Sequence, residues 1–106
     1  VDDRGTPRQV LFLCSITVAG NTLVGNQAYP GIADDYRATF AKLAAMRADI
    51  VLTSHPEMAD LLERAGRRDA GELDAFVKPG LLPAMVEDFR AAFEDALKEQ
   101  EAAKRP

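Results

Sequence analysis

The chain contains a single histidine, His55, which closes the run Ala48-Asp49-Ile50-Val51-Leu52-Thr53-Ser54-His55-Pro56. Apolar and β-branched residues over Ala48–Thr53 predict a buried strand, and Pro56 blocks its continuation while biasing His55 toward an extended backbone. An imidazole just past the carboxyl end of a strand sits where open α/β folds tend to hold their sites, and it can ligate a metal or move a proton. A catalytic metal needs about three protein ligands. His55 is therefore either structural or one member of a site completed by residues other than these 106, and the second reading is the one we expect.

Other residues offer less. If the apolar run from Gln9 continues as a strand to Thr17, then Leu11, Leu13, Ser15 and Thr17 share one face, and that face ends in two hydroxyls. Such hydroxyls could hydrogen-bond a substrate carboxylate or could simply cap the following turn. Cys14, the only cysteine, lies in the strand pattern and reads as a buried small hydrophobe; no internal disulfide is possible. Asp34 and Asp35 are a carboxylate pair, but in the first turn of a helix they serve its N-terminus. Arg64, Arg67 and Arg68 read as a solvated basic face.

The elements that must position these groups follow from the pattern. Asp2-Asp3-Arg4-Gly5 has turn chemistry, Val1 reads as the end of a preceding strand, and Gln9–Ile16 follows as a strand. Val10–Cys14 is apolar on both faces, as in a strand covered on both sides. Between Val18 and Gly31 lies a loop of a length that is usually functional or disordered; Leu23, Val24 and Tyr29 give it apolar anchors, so order is expected. Ile32–Met46 forms an amphipathic helix with Ile32, Tyr36, Phe40 and Leu43 on one face. Glu57–Ala65 is a short helix with Met58, Leu61 and Leu62 inward, stopped by Gly66. Asp69–Asp74 is polar loop and Ala75–Val77 a short edge strand. A long helix over Leu82–Ala103 carries Leu82, Val86, Phe89, Phe93 and Leu97 as a packing stripe, with fraying expected over Lys98–Arg105. Val10–Cys14 and Ile50–Thr53 should pair, or lie one strand apart, with the Ile32–Met46 helix as their crossover.

The composition bounds the function class. At 106 residues and 47% apolar content the chain suits one domain with a core. The net charge is −4 and no basic stripe is interleaved with aromatics, which argues against a nucleic-acid partner. No run approaches the roughly 20 apolar residues of a membrane helix, and no secretory signal pattern opens the sequence. Two strands alone make a marginal sheet, and an exposed apolar edge invites aggregation. The pattern therefore fits an incomplete αββα layered domain of the α/β class.

Phe12-Leu13-Cys14-Ser15-Ile16-Thr17-Val18-Ala19-Gly20-Asn21, Leu23-Val24-Gly25-Asn26, Tyr29-Pro30-Gly31-Ile32-Ala33-Asp34-Asp35-Tyr36 and Phe40-Ala41-Lys42-Leu43 resemble the subclass B3 metallo-β-lactamases. Asp49–Pro56 is similar to the family segment that carries its final zinc-binding histidine. The resemblance implies the C-terminal part of an αββα sandwich occupying residues 1–106, and an enzyme class that opens the β-lactam amide with two zinc ions and a metal-bound hydroxide. It implies that His55 ligates the second zinc and that Ser15 and Thr17 meet the substrate carboxylate. It also implies a β-lactam as the small-molecule substrate, a role in antibiotic resistance, and a periplasmic or secreted location.

The departures set the expectation for this chain. The family's His-x-His-x-Asp-His motif and its other histidine ligand are absent, and Ser54 stands where proline is more usual. No cysteine pair reproduces the disulfide of some members. One ligand of about six remains, so the chain is expected to be inactive alone and to need the missing N-terminal half. Two other readings stay open: part of a different hydrolase of the same fold, and a small non-enzymatic partner-binding module.

Overall fold

A computed structural model describes residues 1–104. They fall into two compact units, one made of Val1–Ser15 with Met46–Leu82, the other of Ile16–Ala45 with the chain from Pro83 onward.

The first unit opens with a hairpin, β1 (Asp2–Asp3) against β2 (Thr6–Pro7). Its two turn residues, Arg4 and Gly5, both have positive φ, 52° and 87°, as the primed turns that match strand twist require. The Asp3 carboxylate accepts from Arg4 Nε at 3.0 Å and lies 3.5 Å from Arg8 Nε. The bond from Arg4, assisted by Arg8, holds Asp3 below its ordinary carboxylate range. Arg4 also pairs with Asp74.

Next come β3 (Val10–Leu13) and β4 (Ile50–Thr53), which pair in parallel with Val10 opposite Ile50 and Leu13 opposite Thr53. The pair is locked at its start. Gln9 N donates to Asp49 Oδ2 at 2.8 Å, and Asp49 N donates back to Gln9 O at 2.8 Å. A parallel pair needs a crossover connection, and helix α1 (Ile32–Ala44) lies within it in sequence, as expected.

The strand is shorter than the sequence suggests, and its faces are unequal. β3 ends at Leu13, so Cys14 and Ser15 lie outside it and the face running to Thr17 does not exist. Leu13, Val51 and Thr53 are buried on one face, whereas on the other Val10 is 38% and Phe12 61% exposed. Ile50 and Leu52 on that second face are half-buried and share a cavity with Val10, Leu73, Phe76 and Val77, so among the described residues the expected cover on both sides is only partial and stops short of Phe12. Cys14 is exposed, not buried.

After β4 the chain makes a 3₁₀ turn over Pro56–Ala59, and Asp60 takes a left-handed conformation (φ 52°) before α2 (Leu61–Asp69). Gly66 does not stop this helix. It continues to Asp69 because Gly71, with φ 108°, supplies the left-handed residue that ends it. The break at Asp60 also rotates the helix relative to the expected register, leaving Leu62 79% exposed and Arg64 buried. Arg64 is no solvated cation. Its Nε donates to Ala59 O at 2.9 Å and its Nη1 to Ala75 O at 3.0 Å. That second bond engages the segment expected to be an edge strand; Ala75–Val77 is instead a run of turns.

The second unit has an aromatic centre. Tyr36 and Phe40 of α1 meet Phe93 of α3 (Leu81–Lys104), Tyr36 stacking on Phe93 with centroids 5.2 Å apart and Phe40 tilted at 5.7 Å. Leu43, Met85, Val86 and Leu97 are buried with them. α1 stops two residues short of the expected Met46. α3 is helical through Lys104, so the expected fraying over Lys98–Lys104 is not seen; Arg105 lies outside the described residues.

Candidate functional site

His55 is positioned by backbone geometry. β4 ends at Thr53, and the ladder extends one bond further, Ser54 N donating to Leu13 O at 3.3 Å. His55 itself is extended (φ −106°, ψ 109°), as the following proline dictates. Its carbonyl accepts twice, from the buried Thr53 Oγ1 at 2.7 Å and from Met58 N at 3.1 Å. The peptide is therefore fixed while the ring stays in solvent, with 56% of its side chain exposed. The acid nearest to it is Glu57, whose Oε1 lies 3.9 Å from Nδ1. At that distance it attracts a protonated ring but does not hydrogen-bond it.

Ser15 follows β3 by two residues as His55 follows β4 by two, and the strands run parallel with Leu13 opposite Thr53. Both residues thus leave the sheet at the same carboxyl end, where α/β sheets concentrate their chemistry. Thr17 falls in the other unit. There its carbonyl accepts from Tyr36 Oη at 2.9 Å.

These residues do not form a metal site by themselves. Among the described residues no group of three or more His, Cys, Asp or Glu side chains is disposed to hold an ion. Asp49 is committed to the Gln9 amide, and Asp35 to the Tyr29 hydroxyl, whose pKa that carboxylate raises. A donor set of one exposed imidazole with a carboxylate 3.9 Å away falls short of the roughly three ligands that hold zinc.

Sequence reasoning passed over the groups that order the loop between the strand and α1. Gln100, in the charged last turns of α3, accepts from Leu23 N at 2.6 Å and Val24 N at 3.3 Å through Oε1, and donates from Nε2 to Asn21 O at 3.1 Å. Leu23 is buried as expected, whereas Tyr29 is half-exposed and is held by polar bonds, its backbone N donating to Asn26 Oδ1 at 2.9 Å and its hydroxyl to Asp35. A glutamine among Lys98, Glu99, Glu101 and Lys104 carries no local signal of such a role.

No protein-family model matches the chain. Solved structures do. BJP-1, a subclass B3 metallo-β-lactamase of Bradyrhizobium japonicum, is 43% identical over 99% of this chain and 40% of its own, with a TM-score of 0.92. The FEZ-1 metallo-β-lactamase from Legionella gormanii is 36% identical over 95% of this chain and 39% of its own, with a TM-score of 0.90. A Cronobacter sakazakii metallo-β-lactamase with a HARLDQ motif is 35% identical over 90% and 37%, with a TM-score of 0.86. The chain thus spans about 40% of the length of the structures it matches. No helix among the described residues is long and apolar enough to cross a membrane.

Proposed function

We propose that this chain, which is similar over nearly its whole length to part of a subclass B3 metallo-β-lactamase, is the C-terminal part of a zinc-dependent β-lactam hydrolase and is inactive alone. The observation that carries the reading is the asymmetry of the match. A TM-score of 0.92 at 43% identity covers 99% of this chain but 40% of its counterpart. Likeness of that degree argues for shared ancestry, and the uncovered remainder is where further ligands would have to reside. The incompletely covered Val10–Phe12 face of the sheet, with Phe12 61% exposed, supports the same reading, because a strand face of this apolarity is normally packed.

In the complete protein His55 would contribute one zinc-binding imidazole, presented by a fixed peptide from the carboxyl end of β4. Ser15 and Thr17 would contribute hydroxyls to a substrate carboxylate. The protein's substrate would be a β-lactam, and its location, by the same likeness, periplasmic or secreted.

Purified 1–106 should bind zinc no better than its His55→Ala variant and should leave a chromogenic cephalosporin intact. Supplying the missing part, by fusion or complementation, should restore turnover that His55→Ala strongly reduces. Tight stoichiometric zinc in the isolated chain, or chelator-sensitive turnover by it, would overturn the proposal.

A further inference from the structure

The loop that carries Thr17 has no regular secondary structure, yet it is tied at two points to helices of its own unit. Tyr36 Oη donates to Thr17 O at 2.9 Å and accepts from Asn21 Nδ2 at 3.0 Å. The Tyr36 ring is itself held by stacking on Phe93. Six and seven residues beyond Thr17, Leu23 and Val24 give their amides to Gln100, which returns a bond to the Asn21 carbonyl. Between the two ties the chain turns at Ala19 and Gly20, both with positive φ (47° and 81°), closed by Asn21 N donating to Val18 O at 2.8 Å. A turn containing a left-handed alanine costs energy and persists only where its surroundings over-determine it. Here the surroundings include one tyrosine hydroxyl and one glutamine amide, with Asn26 Nδ2 donating to Thr22 O at 2.9 Å beside them.

We infer that Tyr36 and Gln100 are positioning residues that fix the 17–24 loop and so set how Thr17 meets a substrate carboxylate. The inference rests on the proposed substrate role of Thr17. A bond to the Thr17 carbonyl orients the peptide plane that follows Thr17 and, through its Cα, the direction of its hydroxyl. Neither residue touches substrate in this account. Loosening either tie widens the range of backbone geometries from which Thr17 must be brought to its contact, and binding then carries an added ordering cost.

The test uses the complete hydrolase carrying this segment. Tyr36→Phe keeps the aromatic packing and removes only the hydroxyl; it should raise KM about fivefold, the size one hydrogen bond carries, with kcat changed less than about twofold. Gln100→Ala should do the same and should speed amide exchange at Leu23 and Val24 by about tenfold or more. Gln100→Glu keeps the acceptor for both amides and should restore their protection and most of KM. Thr17→Val is the control for the underlying role and should raise KM to a similar extent. If Thr17→Val raises KM while Tyr36→Phe and Gln100→Ala leave it unchanged, the positioning inference is wrong and the substrate role stands. If Thr17→Val leaves KM unchanged, the substrate role itself fails and takes the inference with it. A fall in kcat matching the loss of kcat/KM would assign the two residues a general structural part instead. Should Gln100→Ala not fold, Tyr36→Phe and the exchange profile of Gln100→Glu decide.

Discussion

In the unit built on α1 and α3, Phe93 is 1% exposed and packs with Phe40 and Tyr36. In the unit that carries His55, the one large aromatic of the sheet, Phe12, is 61% exposed, although the strand beneath it is as apolar as any stretch of the chain. Apolar content therefore does not separate the units. They differ in how completely the described residues cover the apolar face each presents. The unit with a self-contained aromatic centre holds a loop in place with side-chain hydrogen bonds. The unit with an unfinished sheet holds the candidate metal ligand. A site residue on an element whose packing is incomplete is what part of a larger enzyme would be expected to show.

The comparison can be broken most directly at the two phenylalanines. Phe93→Ala should destabilise the chain by about 3–5 kcal/mol, as buried aromatic truncations do, whereas Phe12→Ser in 1–106 should change stability by less than about 0.5 kcal/mol, as exposed substitutions do. Urea melts of the two variants read the contrast. In a complete hydrolase the Phe12 substitution should become costly, and an equal, small effect in both contexts would remove the case for an absent covering layer.

Arg64 sharpens the account of the His55 unit. Arg64→Met keeps the buried stem but leaves the Ala59 and Ala75 carbonyls without their donor, so a loss of about 2–3 kcal/mol is expected in the same melts. Arg64→Lys should recover only part of it, since one ammonium does not reproduce a planar fork reaching two carbonyls.

A smaller effect of opposite sign is expected in the loop. Ala19→Gly removes the Cβ conflict at φ 47° and should stabilise by about 0.5 kcal/mol, net of the extra freedom glycine gives the unfolded chain.

The smallest effect is a pH dependence. Asp3 has a folded pKa lowered by Arg4 and Arg8. Its contribution is therefore present above the unfolded value and lost as pH falls through the lowered folded one. Stability measured from pH 5 downward should decline less steeply in Asp3→Asn than in the parent. Parallel declines would show that the carboxylate contributes nothing.

The α1 and α3 helices, the β3–β4 pair and the place of His55 were legible because each rests on periodicity or on a proline acting locally. The extent of β3 was not. Cys14 and Ser15 are as strand-compatible as their neighbours, and only the ladder's end at Leu13 and Thr53 shows where pairing stops. Arg64 was misread for a related reason: a break in register at Asp60 has no sequence signature beyond an aspartate, the residue type after glycine and asparagine most tolerant of positive φ. For the site, residue types pointed to His55 and, through the resemblance, to Ser15 and Thr17. The groups that hold the loop came from Tyr36 and Gln100, whose roles depend on long-range contacts that no local pattern encodes.

The reciprocal bonds between Gln9 and Asp49 join residues 40 positions apart, and this has a kinetic consequence. Neither strand of the parallel pair can gain its ladder until that segment, α1 included, closes into a loop. Loop-closure entropy grows only slowly with length, but such non-local pairing slows the search for the native state. The helices need no such closure to form their own hydrogen bonds. We therefore expect refolding in which helical signal appears first and the strand ladder last, so that the His55 peptide, fixed by its place at the end of β4, is among the last parts of the chain to acquire its native geometry.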